Sequence, residues 1–234
     1  MAERTVATQL VELSIETTSP GYIVEPSVFR EYVDHPDRNL HVYYEHGPEG
    51  GTREVTDVDD LDRTDWNVIA FALSGRYDRS AYADVVNVPI ETILSATPLR
   101  DDDFPLSVVK VIAVDPVYQG RGVGTEISAI VAAKLFKHPP VVTMIWLRDN
   151  VANVRIAERY SDFRLATFRE YFPSTWSCPE CGFENDCSCD VAMYGWFADG
   201  REVGSPVDVE SPSDAGTVDD DRTPTETPTE VVTE

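Results

Sequence analysis

Three glycines at alternate positions follow an apolar run and open an amphipathic one, in Val108-Val-Lys-Val-Ile-Ala-Val-Asp-Pro-Val-Tyr-Gln-Gly-Arg-Gly-Val-Gly-Thr125. The pattern predicts a buried strand over Val108 to Val114, a turn at Asp115-Pro116, a glycine loop, and a helix opening near Gly122. Glycine permits positive φ and lets backbone approach a ligand closely. The amides of residues 119 to 125 then converge at a helix N-terminus, where unpaired N–H donors and the helix dipole favour an anion such as a diphosphate. Two common phosphate loops fit poorly. A Walker loop needs Gly-x-x-x-x-Gly-Lys-Ser/Thr, and no lysine follows these glycines. A dinucleotide loop needs Gly-x-Gly-x-x-Gly directly after the strand, and here Asp115 to Gln119 intervene. The alternative without a ligand is a glycine turn serving tight packing alone.

A second group of reactive residues is the cysteine cluster. All four cysteines lie in Cys178-Pro-Glu-Cys181-Gly-Phe-Glu-Asn-Asp-Cys187-Ser-Cys189. Cys-Pro-x-Cys-Gly is a zinc-knuckle turn, in which two thiolates at this spacing converge on one metal and Gly182 permits the tight backbone. The Cys-x-Cys pair is tighter than the usual Cys-x-x-Cys and can complete a tetrahedral site. Disulfides are the alternative, and iron is the other metal that would fit. Structural zinc held by Cys178, Cys181, Cys187 and Cys189 is the expectation; four thiolates close the coordination sphere and leave the metal no catalytic position.

The glycine loop has a known counterpart. Its strand ends in Val-Asp-Pro, it reads Gln119-Gly-Arg-Gly-Val-Gly124, and an amphipathic helix follows. This closely resembles the acyl-CoA signature of the GNAT N-acetyltransferase superfamily, Gln/Arg-x-x-Gly-x-Gly/Ala, met here by Gln119, Gly122 and Gly124. Downstream, Asn150 and Asn153 at the opening of the next helix and Tyr160 near its end occupy similar places, although Phe163 replaces the family's usual Gly-Phe turn. The final strand with Met193 also looks like the family's last. The resemblance covers residues 104 to 197 well, and residues 5 to 100 only in the order of elements.

What the resemblance implies is specific. The fold would be α/β (α+β), a mixed, mostly antiparallel sheet flanked by helices, with a parallel splayed strand pair at the CoA site. The amides of Gln119, Gly120, Arg121, Gly122, Val123, Gly124 and Thr125 would hold the diphosphate of acetyl-CoA. The pantetheine would lie between the strands at 108–114 and 141–147 and pair with backbone near Ile112, Ala113 and Val114, with Asn150 and Asn153 also on the cofactor side. A backbone N–H near Val114 could polarise the thioester carbonyl. Tyr160 is the candidate general acid for the departing thiolate, because a phenol with a pKa near 10 is protonated at neutral pH; its alternative is a packed helix-end aromatic. Many relatives carry a carboxylate on the strand before the loop, and residues 106 to 114 contain none. Lys110, the one ionisable group there, is expected to face solvent or a carboxylate. Glu91, Asp103 and Glu170 are distant candidates, and no base is assigned. A non-catalytic acyl-CoA-binding or sensor protein, and a zinc-module interaction protein, remain alternatives to an N-acetyltransferase. Peptide N-termini, lysines, aminoglycosides and small polyamines all present the primary amine that such an enzyme would acetylate, and a monomer or homodimer would serve.

Composition narrows the partners. With 42 acidic against 19 basic side chains the net charge is −23, and the pI is near 4.3. Such a field repels phosphates, so neither nucleic acid nor an anionic membrane is an expected partner. The surface resembles that of proteins from very salty cytoplasm, where screening shortens the reach of self-repulsion. Met-Ala-Glu-Arg-Thr has no apolar signal region and no apolar run reaches transmembrane length, so a soluble, cytoplasmic protein is expected. A hydrophobic fraction of 42% is enough for a real core.

The elements that must position these groups follow in order. Residues 5–16 alternate, with Val11, Leu13 and Ile15 on one side, which predicts a half-buried strand. Pro26 to Val33 reads as a short helix with Val28, Phe29, Tyr32 and Val33 inward. Leu40 to Glu45 and Asn67 to Ser74 are predicted strands, separated by a Gly- and Asp-rich surface loop over 47–65. Residues 80–95 fit helix or strand, with Pro89 awkward in either. A helix from Gly122 to Lys137 ends at His138-Pro-Pro140, and Val141 to Leu147 is the next buried strand. Asp149-Asn150 caps a helix to about Tyr160. Two strands then flank the cysteines, which form an insertion at about 177–190. The domain is expected to span 1–200. From Arg201 to Glu234 the chain lacks aromatics and should be a disordered acidic tail.

Overall fold

Thr5 sets the first element. Its hydroxyl accepts the Thr8 N–H at 3.3 Å, and helix α1 (Val6–Thr17) follows with Val6, Leu10 and Leu13 buried. The strand expected over 5–16 is therefore corrected to a helix. Apolar residues at 6, 10 and 13 satisfy the helical period, the threonine cap supplies a first-turn partner, and Ile15 of the supposed inner face is 40% exposed. These coordinates, a computed structural model, describe residues 4–18, 22–46, 49–86, 88–147, 151–171 and 189–210.

Helix α2 (Ser27–Asp34) carries Phe29 and Tyr32 inward as expected, and β1 (Arg38–His46) follows. The stretch expected to be loop contains a second strand, β2 (Glu49–Val55), antiparallel to β1, and a 3-10 turn at Val58–Asp62 that buries Leu61. β2 is an edge strand and largely solvated, so its polar, glycine-rich sequence is tolerated while β1 supplies the ladder bonds. Buried β3 (Asn67–Tyr77) follows. The ambiguous stretch resolves into α3 (Arg79–Val85), capped by Asp78 on the Ala81 N–H at 2.8 Å, and α4 (Ile90–Ala96), with Pro89 at the cap position where its missing N–H is harmless.

The second half comprises β4 (Leu106–Val114), α5 (Val123–Leu135), β5 (Val141–Trp146), α6 (Val151–Tyr160), β6 (Phe163–Phe168), β7 (Val191–Trp196) and β8 (Val207–Val209). Eight strands form one sheet in the order β2-β1-β3-β4-β5-β7-β6-β8. Among the described residues only β4/β5 and β6/β8 are parallel. The mixed, mostly antiparallel sheet flanked by helices is thus the architecture found. Phe71 and Leu73 of β3 face α1 and α2, where Phe71 meets Phe29 edge-on at 5.4 Å, and the alternate Ala70 and Ala72 face α5. Tyr77, Tyr82, Leu106, Val142, Phe168 and Met193 fill a further core at the α3–α4 end.

The folded part runs past the boundary expected at residue 200. β8 pairs with β6 from Ala166↔Val207 to Phe168↔Val209. Ahead of it, the Arg201 guanidinium grips Asp103 through two bonds of 2.6 and 2.7 Å, donates to the Pro98 carbonyl at 2.9 Å, and lies 4.5 Å from the Phe197 ring centre. The tail reading therefore fails for residues 201–210, and 211–234 lie outside the described residues. A lone arginine in an acidic stretch carries no local mark of a partner that lies far back in the chain, in the Asp101–Asp103 turn.

Candidate functional site

β4 and β5 are bonded only where they begin, at Ser107↔Val141, Val108↔Val142 and Val109↔Thr143, with Thr143 Oγ1 donating to the Val109 carbonyl at 3.1 Å. Both strands continue, to Val114 and Trp146, without a shared ladder, so the pair splays. A cause lies on the other edge of β4. Its register with β3 shifts between Leu73 and Ser74, whose partners are Val111 and Val109, leaving Lys110 as an extra residue. A bulge of this kind bends a strand and increases its twist.

The open edge can be assigned atom by atom. Asp115 donates its N–H to the Ile69 carbonyl at 2.9 Å, toward β3. By strand alternation Ala113 also faces β3, whereas Ile112 and Val114 turn their N–H and C=O groups into the opening. Of the three residues expected to offer backbone to a ligand, Ala113 is thus removed. Its side chain is also in the core, 2% exposed.

The glycine loop continues from Val114. Asp115 caps the Val117 N–H at 2.8 Å, a 3-10 turn covers Pro116–Tyr118, and Gln119 folds back so that Nε2 donates to the Val114 carbonyl at 3.0 Å. Gly120 (φ 73°) and Gly122 (φ 91°) are left-handed, a conformation that side chains disfavour. Gly124 serves differently. A Cβ there would make ordinary contacts, 3.4 Å to Val114 Cγ2 and 3.8 Å to Ile156 Cδ1, so only a larger side chain would press on β4 and α6. The first bond of α5 runs from the Glu126 N–H to the Gly122 carbonyl, leaving the Val123, Gly124 and Thr125 amides without intrahelical acceptors. Gln119, Gly120, Arg121 and Gly122 are exposed, and the Arg121 guanidinium sits 5.4 Å from the Tyr118 ring centre. The helix begins at Val123, one residue later than expected, with Gly122 as its cap.

Helix α6 supplies the next wall. Asn153, Ile156 and Tyr160 are spaced to share one face, and Ile156 lies beside Gly124, so the half-buried Asn153 and Tyr160 belong to the stripe turned toward the start of α5. Asn150 lies outside the described residues. So do Cys178, Cys181 and Cys187, in the segment joining antiparallel β6 and β7. The fourth, Cys189, is 5% exposed, and its carbonyl accepts the Tyr171 N–H at 3.0 Å, closing the base of that connection. Among the described residues no three His, Cys, Asp or Glu side chains are grouped to hold a metal.

On the sheet face away from α5 lies a group that the sequence did not disclose. Lys110 has the Glu31 carboxylate in its surroundings, as expected, but no salt bridge to it, and it lies among aromatic rings. It is half-buried, with Nζ 5.8 Å from the Tyr32 ring centre and 6.0 Å from that of Tyr22. Tyr32 and Tyr77 share a hydroxyl–hydroxyl bond of 2.5 Å, and the Tyr171 hydroxyl contacts Met144 Sδ at 3.8 Å. Burial, foremost, pushes the Tyr22, Tyr32 and Tyr77 phenols above the usual range. The only sequence signal was a single charge inside an otherwise apolar strand. Of the distant base candidates, Glu91 pairs with Arg79 at 2.7 Å, Asp103 is held by Arg201, and Glu170 occupies the turn after β6 at φ 46°.

Similarity among solved structures agrees with this layout. Arabidopsis thaliana NAA60 in complex with acetyl-CoA matches with a TM-score of 0.53 at 13% identity, over 83% of this chain and 94% of that one. The same protein with a bisubstrate analogue gives 0.51 at 13%, over 84% and 94%. This is the GNAT fold. No family model matches the sequence, and no curated protein does. At such identity the likeness speaks for the GNAT scaffold, and the chemistry has to be argued from this chain's own residues. No helix among the described residues is long and apolar enough to cross a membrane.

Proposed function

We propose that the protein is an acetyl-CoA-dependent N-acetyltransferase that moves an acetyl group to a primary amine by direct attack. The observation that carries this reading is the junction of two features: a parallel strand pair that opens after Val109↔Thr143, and a helix N-terminus led by Gly120, Gly122 and Gly124 at the open end. A diphosphate would sit on the amides from Gly120 to Thr125, where donors and the dipole favour it, the Gln119 N–H being bonded to the Pro116 carbonyl at 3.4 Å. An extended pantetheine would use the edge at Ile112 and the Val114 N–H as a strand uses a neighbour, the Val114 carbonyl being held by Gln119 Nε2. The thioester would lie a pantetheine's length from the diphosphate, toward the closed end of the opening, where the Ile112 N–H can meet the negative charge developing on its carbonyl. Attack forms the C–N bond and breaks the C–S bond, and Tyr160, on the stripe with Asn153, would protonate the thiolate.

Cys178, Cys181, Cys187 and Cys189 are proposed to hold one structural zinc that pins the β6–β7 connection and shapes the acceptor side. Buried Cys189 at the base of that connection suits such a ligand. Four thiolates would supply folding energy and no open position. Chelation should then release one zinc per chain, lower the melting temperature and weaken amine turnover; unchanged melting and turnover after removal would end this part of the proposal.

Two measurements test the enzyme reading: equilibrium binding of acetyl-CoA, and thiol release with a panel of primary amines. Tyr160→Phe is expected to lower kcat about 100-fold or more while leaving acetyl-CoA binding intact. The absence of a carboxylate on β4 favours one alternative, a non-catalytic acyl-CoA sensor. Tight binding without turnover of any amine would select it.

A further inference from the structure

We propose that Lys110 is the general base, its ε-amine taking the proton from the attacking amine at the closed end of the opening between the two strands. This role rests on the acetyltransferase reading. Three placements carry it. Lys110 directly follows Val109, the last β4 residue bonded to β5, so it stands where the cleft begins. It is the residue that the bulge leaves without a partner on β3, which frees its backbone from the ladder that fixes its neighbours. Its side chain lies with Tyr22 and Tyr32, on the α1–α2 side of the sheet, whereas the glycine loop leads into α5, which packs on the opposite face. A cofactor held from the α5 side leaves the α1–α2 side for the amine, and there the ε-amine waits.

The surroundings favour the free amine. Glu31 and Tyr32 face Lys110 from α2, Tyr22 from the chain before it and Arg38 from β1, while Tyr77 of β3 bonds to Tyr32 and Tyr171 faces Tyr22. The phenols are held protonated by burial and provide no anion. Burial is the largest influence on Lys110 and lowers its pKa, Arg38 lowers it further, and Glu31 alone opposes them. Among the described residues no carboxylate forms a salt bridge with it, whereas half of the other lysines and arginines have one. A base benefits from lacking such a partner.

The step balances without a further reagent. The acceptor nitrogen bonds to the carbonyl carbon and gives its proton to Lys110 Nζ. The C–S bond breaks with its electron pair on sulfur, and the thiolate takes a proton from Tyr160. The Lys110 ammonium then returns its proton through solvent to the phenolate.

The test uses the full chain with lysine ε-carbons labelled with 13C, since only Lys110, Lys134 and Lys137 contribute signals. Lys110→Arg assigns the Lys110 resonance, which is expected to titrate below the ordinary lysine range. In thiol release with the amine panel, Lys110→Arg and Lys110→Met should each lower kcat about 100-fold or more with acetyl-CoA affinity retained. The wild-type rate should fall as pH drops through the value read by NMR, and that limb should vanish in both variants. An ordinary or raised Lys110 titration overturns the proposal. So does a Lys110→Arg protein with near wild-type turnover, which would make the residue a fixed cation. Failure of the wild type to bind acetyl-CoA would sink the reading beneath it, and binding without turnover of any amine would sink both.

Discussion

Gly122→Val should fold and yet bind acetyl-CoA about tenfold to a hundredfold more weakly. Gly122 is the cap of α5 at φ 91°, and a Cβ built there meets nothing within 4 Å. The cost is therefore conformational. A side chain in the left-handed region costs about 1–2 kcal/mol, and a β-branched one more. The free protein relieves this by letting the loop leave the conformation in which the Val123, Gly124 and Thr125 amides converge, and binding must restore it. Each factor of ten in affinity corresponds to about 1.4 kcal/mol, which sets the expected range. Gly124→Val should behave differently, because its added atoms press on Val114 and Ile156 and so reduce stability as well. Calorimetric titration beside thermal melts separates the two. Wild-type affinity in Gly122→Val would remove the loop from the binding site.

Arg201→Met should destabilise the fold by about 1–3 kcal/mol, because it leaves the part-buried Asp103 carboxylate with the Arg100 N–H and no charge partner. The two side chains are 10% and 8% exposed, so solvent screens the pair little. Removing both charges together, as Arg201→Met with Asp103→Leu, should recover part of the loss, since the desolvation cost disappears with the pair. A chain ending at Gly200 loses Arg201 and β8 together and should be no more stable than the point variant. One ending at Glu210 keeps both and should melt like the full chain up to that residue's own contribution. Urea unfolding in molar salt measures all of these, the salt being needed because 42 acidic side chains repel one another in dilute buffer. A chain ending at Gly200 with full-length stability would show that the segment is an ornament on the domain.

What the sequence disclosed follows from how local each signal is. The strand, glycine loop and helix over residues 106–135 were legible because their requirements are met by neighbours: an apolar run, two glycines that must be left-handed, and an apolar stripe at helical spacing. The β6–β7 pair around the cysteines was legible for the same reason. α1 was misread because 12 residues of mixed polarity fit two periods, and the deciding contacts, Gln9 to Trp66 and Val68 at 2.9 Å, come from the start of β3 and the residue before it. β2 was missed since an edge strand needs a partner's ladder more than apolar residues of its own. The lysine and its tyrosines were illegible in principle. Tyr22, Tyr32, Tyr77 and Lys110 come from four separate parts of the chain, and the bulge that sets Lys110 apart exists only in the β3–β4 register. Arg201 and Asp103 repeat that lesson on the stability side.

Equilibrium titration of the full chain with acetyl-CoA in molar potassium chloride tests the acetyl-CoA site most directly. One saturable site per chain is predicted, with affinity in the micromolar range or tighter, weakened by Gly122→Val and unaffected by Lys110→Arg. Absence of binding up to millimolar acetyl-CoA, by protein shown to be folded in the same buffer, would contradict it.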